Sequence, residues 1–153
     1  TQHFSMTEAD GSLRGPFGLF LLAPGVGVGL DQMGTVLRFG TALPDRVREM
    51  AILLVAAHWR SAFEAEAHEP IGRSVGLTED EIVALRGARV PELADEVERA
   101  HMELAAAMVH DGDVSDELWD RAVPVVGVAG VEELAALVGH YASLALQMRV
   151  FRV

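Results

Sequence analysis

Glu64 and His68 stand four residues apart in the chain. On a helix that spacing puts them on one face. A carboxylate there can orient an imidazole for proton transfer near neutral pH. The same spacing also describes an ordinary surface pair of small energetic consequence. Glu49 adds a third group. It lies in Arg46-Val-Arg-Glu49-Met-Ala-Ile-Leu-Leu, and within such an apolar helix a carboxylate is costly unless paired or protonated. Arg46, three positions earlier, is expected to neutralise it on the same face. The competing reading of Glu49 is a solvated carboxylate near a helix start. His58, Trp59, Arg60 and Ser61 read as the turn between two helices, with Ser61 as an N-cap rather than a catalytic hydroxyl. His58 either faces the same pocket or sits as a cation at a helix C-terminus. The set His58, Glu64 and His68 matches no strong metal-ligand spacing, and no metal is expected. His101, and His140 with Tyr141, show no convergent partners and read as core or rim.

Composition removes several mechanisms. Of 153 residues none is Cys, which excludes a thiol nucleophile, a dithiol couple and a thiolate zinc site. None is Lys, which excludes a side-chain Schiff base. The net charge of −11 with twelve scattered Arg argues against nucleic acid and anionic lipid as partners. No apolar run is expected to reach the roughly 18 residues that span a bilayer. No basic and then apolar leader opens the chain, so it reads as cytoplasmic by default.

The elements that must position these groups read as helices throughout, with no persistent alternation of strand type. Residues 1–13 are polar and expected to be a flexible segment; residues 14–153 form one domain. Phe17 to Leu22 reads as a short helix. The glycine–valine stretch Gly25 to Gly29 lacks the Lys and Ser/Thr of a phosphate loop. Leu30, Met33 and Leu37 recur at helical spacing. A helix from Leu43-Pro44-Asp45 runs to about Trp59 with Met50, Leu53, Leu54 and Ala57 as its apolar face. Ser61-Ala-Phe-Glu64 and Thr78-Glu-Asp-Glu81 match capping boxes. Pro70 falls inside the first of those helices and is expected to kink it beside His68, or equally to mark the end of a short helix. Val90-Pro91-Glu92 is expected to start the next helix, Ser115 to cap the one carrying Trp119, and Gly127 to Gly130 to break the chain before a last helix from Val131. The fold class is all-α: a single-domain bundle of seven or eight helices.

Three stretches together resemble the carboxymuconolactone decarboxylase-like proteins: Arg48-Glu49-Met-Ala-Ile-Leu-Leu-Val-Ala-Ala, then His58-Trp-Arg-Ser-Ala-Phe-Glu64-Ala-Glu-Ala-His68-Glu-Pro-Ile, then Gly76-Leu-Thr-Glu-Asp-Glu-Ile. Gly112-Asp-Val-Ser-Asp-Glu-Leu-Trp119 and Glu133-Leu-Ala-Ala-Leu-Val-Gly-His-Tyr141 resemble the C-terminal half of that family. In the related alkylhydroperoxidase D proteins a Glu precedes a Cys-x-x-Cys-x-x-x-His motif. On that spacing the Glu falls on Glu49, the His on His68 and the two Cys on Ser61 and Glu64. Dithiol peroxide reduction is therefore excluded here, and the motif is similar to that of the decarboxylase branch.

The resemblance implies an enzyme that removes carbon dioxide from a carboxylated lactone such as carboxymuconolactone, in aromatic-acid catabolism. It needs no cofactor, because the lactone carbonyl accepts the electrons. Charge must be stabilised on that oxygen and a proton delivered to carbon. His68 is assigned as general acid or oxyanion donor, Glu64 as the group that orients and tunes it, and Glu49 as a proton relay. Arg60 or Arg48 is expected to anchor a substrate carboxylate, with His58 and Ser61 as further candidate substrate contacts. A homo-oligomer, trimer or hexamer, is expected. Two alternatives stand beside this: another cofactor-free lyase, isomerase or cyclase on an enolisable biosynthetic substrate, and a non-catalytic helical oligomeric binding protein.

Overall fold

The computed structural model describes residues 5–153. Among the described residues there are seven helices: α1 (Pro16–Phe20), α2 (Pro24–Phe39), α3 (Asp45–Trp59), α4 (Ala62–Ser74), α5 (Glu79–Arg86), α6 (Glu96–His110) and α7 (Asp116–Phe151). Among the described residues the only strand-like pairing is a single bridge between Thr7 and Leu13. Residues 1–4 of the segment expected to be flexible lie outside the described residues. The rest folds back at Gly11 and is tied to α4 by Arg14, whose guanidinium pairs with Glu66 at 2.9 Å.

α3 is the central element, packed by α4, α5, α6 and α7. The sequence suggested one apolar face. Instead Val47 and every residue from Glu49 to Ala56 are buried. A helix apolar all round suits a position surrounded by others. α7 presents Leu134, Leu137, Tyr141, Leu144 and Met148 to it at three- and four-residue intervals.

Local signals set most boundaries. Thr78 and Glu81 form a complete capping box, and Ser115 accepts the Leu118 amide at 3.2 Å. The stretch from Val90 does not start a helix. Asp95 does so instead, accepting the Glu98 amide at 2.8 Å, because a side-chain oxygen that satisfies an orphan N–H outweighs a Pro that only fits the first turn. The glycine–valine stretch is the start of α2 rather than a loop. Pro24 stands at its first position, and Gly27 allows α1 to lie against it. A Cβ on Gly27 would sit 2.5 Å from the Phe20 carbonyl oxygen.

α4 continues through Pro70 to Ser74 as one helix, so Pro70 lies inside it and does not end it. The break in the last helix is confined to Gly127, whose φ of 76° lies in the left-handed region. In addition, α7 is long and apolar enough to cross a membrane by length and composition, contrary to the expectation that no segment is. Gly127 interrupts that length, and the half beyond it packs on α3.

Candidate active site

The α3–α4 turn creates the site. Arg60 adopts a left-handed conformation (φ 54°) and the Ser61 amide donates to the Ala56 carbonyl at 2.8 Å, closing α3 with a C-terminal cap. Ser61 then caps α4 by accepting the Glu64 amide at 3.4 Å. This is half of the expected capping box. The Glu64 side chain does not return to Ser61 but points inward beside His68.

The turn folds α4 back along α3 and brings Glu49 to His68. His68 Nδ1 lies 2.8 Å from Glu49 Oε2. A carboxylate oxygen only accepts, so Nδ1 carries the proton and Nε2 is left toward Glu64. Glu64 Oε2 is 3.7 Å from Nε2. Thus Glu49, not the helical neighbour Glu64, orients the ring. The i,i+4 spacing does set Glu64 beside Nε2, but helix packing gives Glu49 the shorter contact. Glu49 and Glu64 are each 2% exposed and His68 is 6% exposed, which rules out the surface reading.

Glu49 is neutralised by Arg48, 3.4 Å away, and not by Arg46. Arg46 turns to Glu81 and Glu98, each at 2.7 Å, and also donates to the Gly76 carbonyl. Two carboxylates on α5 and α6 outcompete one on its own helix.

Glu64 is the unusual member. Its Oε1 is buried and has no hydrogen-bond partner. Burial pushes its carboxyl up to about 7, against the opposing pull of His68 and Arg38. A carboxylic acid poised there can give or take a proton at neutral pH.

Glu64 and His68 open into a cavity of about 290 Å³ between α1, α2, α4 and α7. Phe17, Phe20, Phe63, Ile71 and Leu144 form apolar walls; Arg38, His140 and Tyr141 add polar groups. The Tyr141 ring stands edge-on to His68, 5.2 Å between centroids. Burial first, and then Glu64, push its hydroxyl above the usual range, so it stays protonated. His140 is pushed down, by burial and then by Arg38. Sequence reasoning set His140 and Tyr141 aside as core and rim, and overlooked Arg38. The one available signal was their adjacency on a helix that returns to the core.

The remaining candidates lie elsewhere. His58 is exposed, edge-on to Trp59 and His110. Arg60 and Ser61 line clefts on the outer side of the turn. Arg48 contacts Glu49 and Asp45 and does not line the cavity. His101 donates to the Val97 carbonyl at 2.8 Å, as a satisfied core histidine. Among the described residues no three His, Asp or Glu side chains are arranged to hold a metal ion.

A buried Glu–His pair at the base of an apolar cavity, on an all-helical frame without cysteine, marks the class. The model of the Carboxymuconolactone decarboxylase family matches residues 24–107, from α2 into α6, and the chain belongs to that family. The match covers Arg38, Glu49, Glu64 and His68 but not His140 or Tyr141. No curated protein matches the chain.

Proposed function

We propose that the protein is a cofactor-independent carboxy-lyase acting on a carboxylated lactone. The observation that carries this is Glu64: a buried carboxyl, unpaired at Oε1 and held near pH 7, facing a cavity beside an oriented histidine. In the reaction the bond to the departing carboxylate breaks and its electron pair passes into the lactone carbonyl. Apolar walls favour neutral carbon dioxide over the charged carboxylate. The Tyr141 hydroxyl and the Glu64–His68 pair are the available donors to the developing enolate oxygen. The same pair then delivers a proton to carbon, and Glu49 holds the His68 tautomer throughout. Compared with the roles expected from sequence, Glu49 becomes the orienting group and Glu64 a proton store.

Purified protein offered carboxylated butenolides should release carbon dioxide. His68→Gln should lower that turnover about a hundredfold or more. Near-normal turnover in this variant would remove His68 from the mechanism. Deuterium exchange into an enolisable lactone without carbon dioxide release would favour the isomerase or cyclase reading, which uses the same proton. Neither release nor exchange across such substrates would leave the binding-protein reading.

Assembly and cytoplasmic residence belong to the same proposal. Val26, Met33, Val36 and Phe39 leave the outer side of α2 apolar and exposed, a surface suited to covering by another copy. Light scattering should give a multiple of 16.4 kDa, three- or sixfold; a single-chain mass at working concentration would contradict assembly.

A further inference from the structure

The cavity contains one arginine, and it is not one that the α3–α4 motif supplies. Arg38 comes from the last turn of α2. Its Nε donates to the Gly34 carbonyl at 3.0 Å, and its guanidinium lies 5.3 Å from the Phe39 ring centre. Those contacts fix the plane of the fork while leaving both terminal nitrogens without a carboxylate among the described residues. This contrasts with Arg14, Arg46, Arg48, Arg73, Arg86 and Arg121, each of which is in an ion pair. An unpaired, half-buried guanidinium facing an apolar cavity in a chain of charge −11 calls for an anion.

Gly34 brings the second group alongside. A Cβ built there would be 3.1 Å from His140 Nε2 and 4.0 Å from an Arg38 terminal nitrogen. The missing side chain thus lets the imidazole close against α2 beside the guanidinium, and both groups line the cavity. His140 is buried and kept neutral by burial and by Arg38, so it offers one N–H without adding a second charge. Its ring abuts Tyr141, which in turn abuts His68. His140 is therefore joined by two ring contacts to the Glu64–His68 pair. Asp31 also lines the cavity, exposed and without an ion pair to Arg38.

We propose that Arg38 and His140, spaced by Gly34, form the subsite that binds a carboxylate of the substrate, and that this subsite sets the preference for carboxylated over neutral ring compounds. The proposal rests on the cavity being a substrate site, and it replaces Arg60 and Arg48 as anchors, since neither lines that cavity. A planar fork fits a carboxylate bidentately, and the neighbouring imidazole adds a third donor.

The test is binding, so that it stands apart from turnover. The probes are 2-furoate, a five-membered ring with one carboxylate, and its uncharged amide, 2-furamide, titrated by calorimetry or by ligand-observed NMR. Wild-type protein should hold 2-furoate at least tenfold more tightly than 2-furamide. Arg38→Met should abolish that preference and leave 2-furamide unchanged. Gly34→Ala, with Arg38 intact, should weaken 2-furoate severalfold by pushing the His140 imidazole away from Arg38, and Arg38→Lys should retain part of the preference. If Arg38→Met proves unstable, the Gly34→Ala and Arg38→Lys arms decide. Equal binding of the two probes by wild type, or an undiminished preference in Arg38→Met or Gly34→Ala, would overturn the subsite. Arg38-dependent binding of 2-furoate without any carbon dioxide release from lactones would instead sink the carboxy-lyase reading and leave the subsite standing.

Discussion

Glu64→Gln should lose about two orders of magnitude or more in turnover and yet be more stable than wild type above neutral pH. The two effects have one cause. Burial holds the Glu64 carboxyl at about 7, above the 4.5 of an unperturbed Glu. Between those values the folded chain keeps a proton that the unfolded chain has lost, so stability falls as pH rises. Below about 4.5 both states are protonated and there is no penalty. Above about 7 the fold carries a buried carboxylate with an unpaired oxygen, at a cost on the order of 2–3 kcal/mol. Glutamine has no proton to lose. Melting curves of the two proteins should therefore nearly coincide near pH 4.5 and separate progressively toward pH 8, with the variant higher. Parallel curves across that range would show that Glu64 does not carry a displaced proton. Wild-type turnover should likewise decline as pH rises through about 7, where the acid form is lost.

The largest stability loss is expected from Arg46→Ala. Arg46 holds Glu81 of α5 and Glu98 of α6, each at 2.7 Å, and also the Gly76 carbonyl. It thereby ties three elements to the start of α3. The two carboxylate side chains are only 14% and 16% exposed. Removing their shared cation leaves both partly buried and repelling each other, at a cost of about 2–3 kcal/mol once discounted for solvent access. For a domain of this size that is a fall in Tm of roughly 5–10 °C. Urea denaturation should show a lower midpoint with unchanged slope. A loss under about 0.5 kcal/mol would mean that solvent screens the cluster. Glu81 sharpens the test. Its burial would raise its pKa, but hydrogen bonds from Arg46 and Thr78 bring it below the ordinary Glu value. The stability it adds is present above the unfolded Glu pKa and disappears as the solution is acidified, so the difference between wild type and Arg46→Ala should shrink at low pH.

What the sequence revealed followed how local each cause was. The caps at Ser61, Thr78 and Ser115 act within one turn of chain, and all three were legible. The start of α6 was misplaced because two local signals, Pro91 and Asp95, stand side by side and only one can win. α2 was obscured because glycine disfavours helix, while the contact that rewards Gly27 comes from Phe20 on another element. At the site, Glu49, Glu64 and His68 could be named because they sit in one contiguous motif. The Glu64–His68 pair could be read from its spacing, but the Glu49–His68 contact could not, since the angle between α3 and α4 decides which carboxylate reaches Nδ1. Arg38, His140 and Tyr141 have no neighbouring pattern at all. They reach the cavity from helices that sequence alone could not place beside α4.

The confinement of the proton-handling groups to α3 and α4, with the cavity's arginine on α2, has a consequence for how such a protein can change. On the proposed roles, the residues that choose the ligand and those that transform it stand largely on different helices, coupled through the pull of Arg38 on Glu64. A substitution at position 34 or 38 alters what the pocket admits without disturbing the Glu49–His68 bond. The α3–α4 hairpin can thus be inherited intact while the adjoining helix is reworked for a different ligand. Divergence of ligand range among chains sharing this hairpin is accordingly expected to concentrate in α2 and in the inward face of α7.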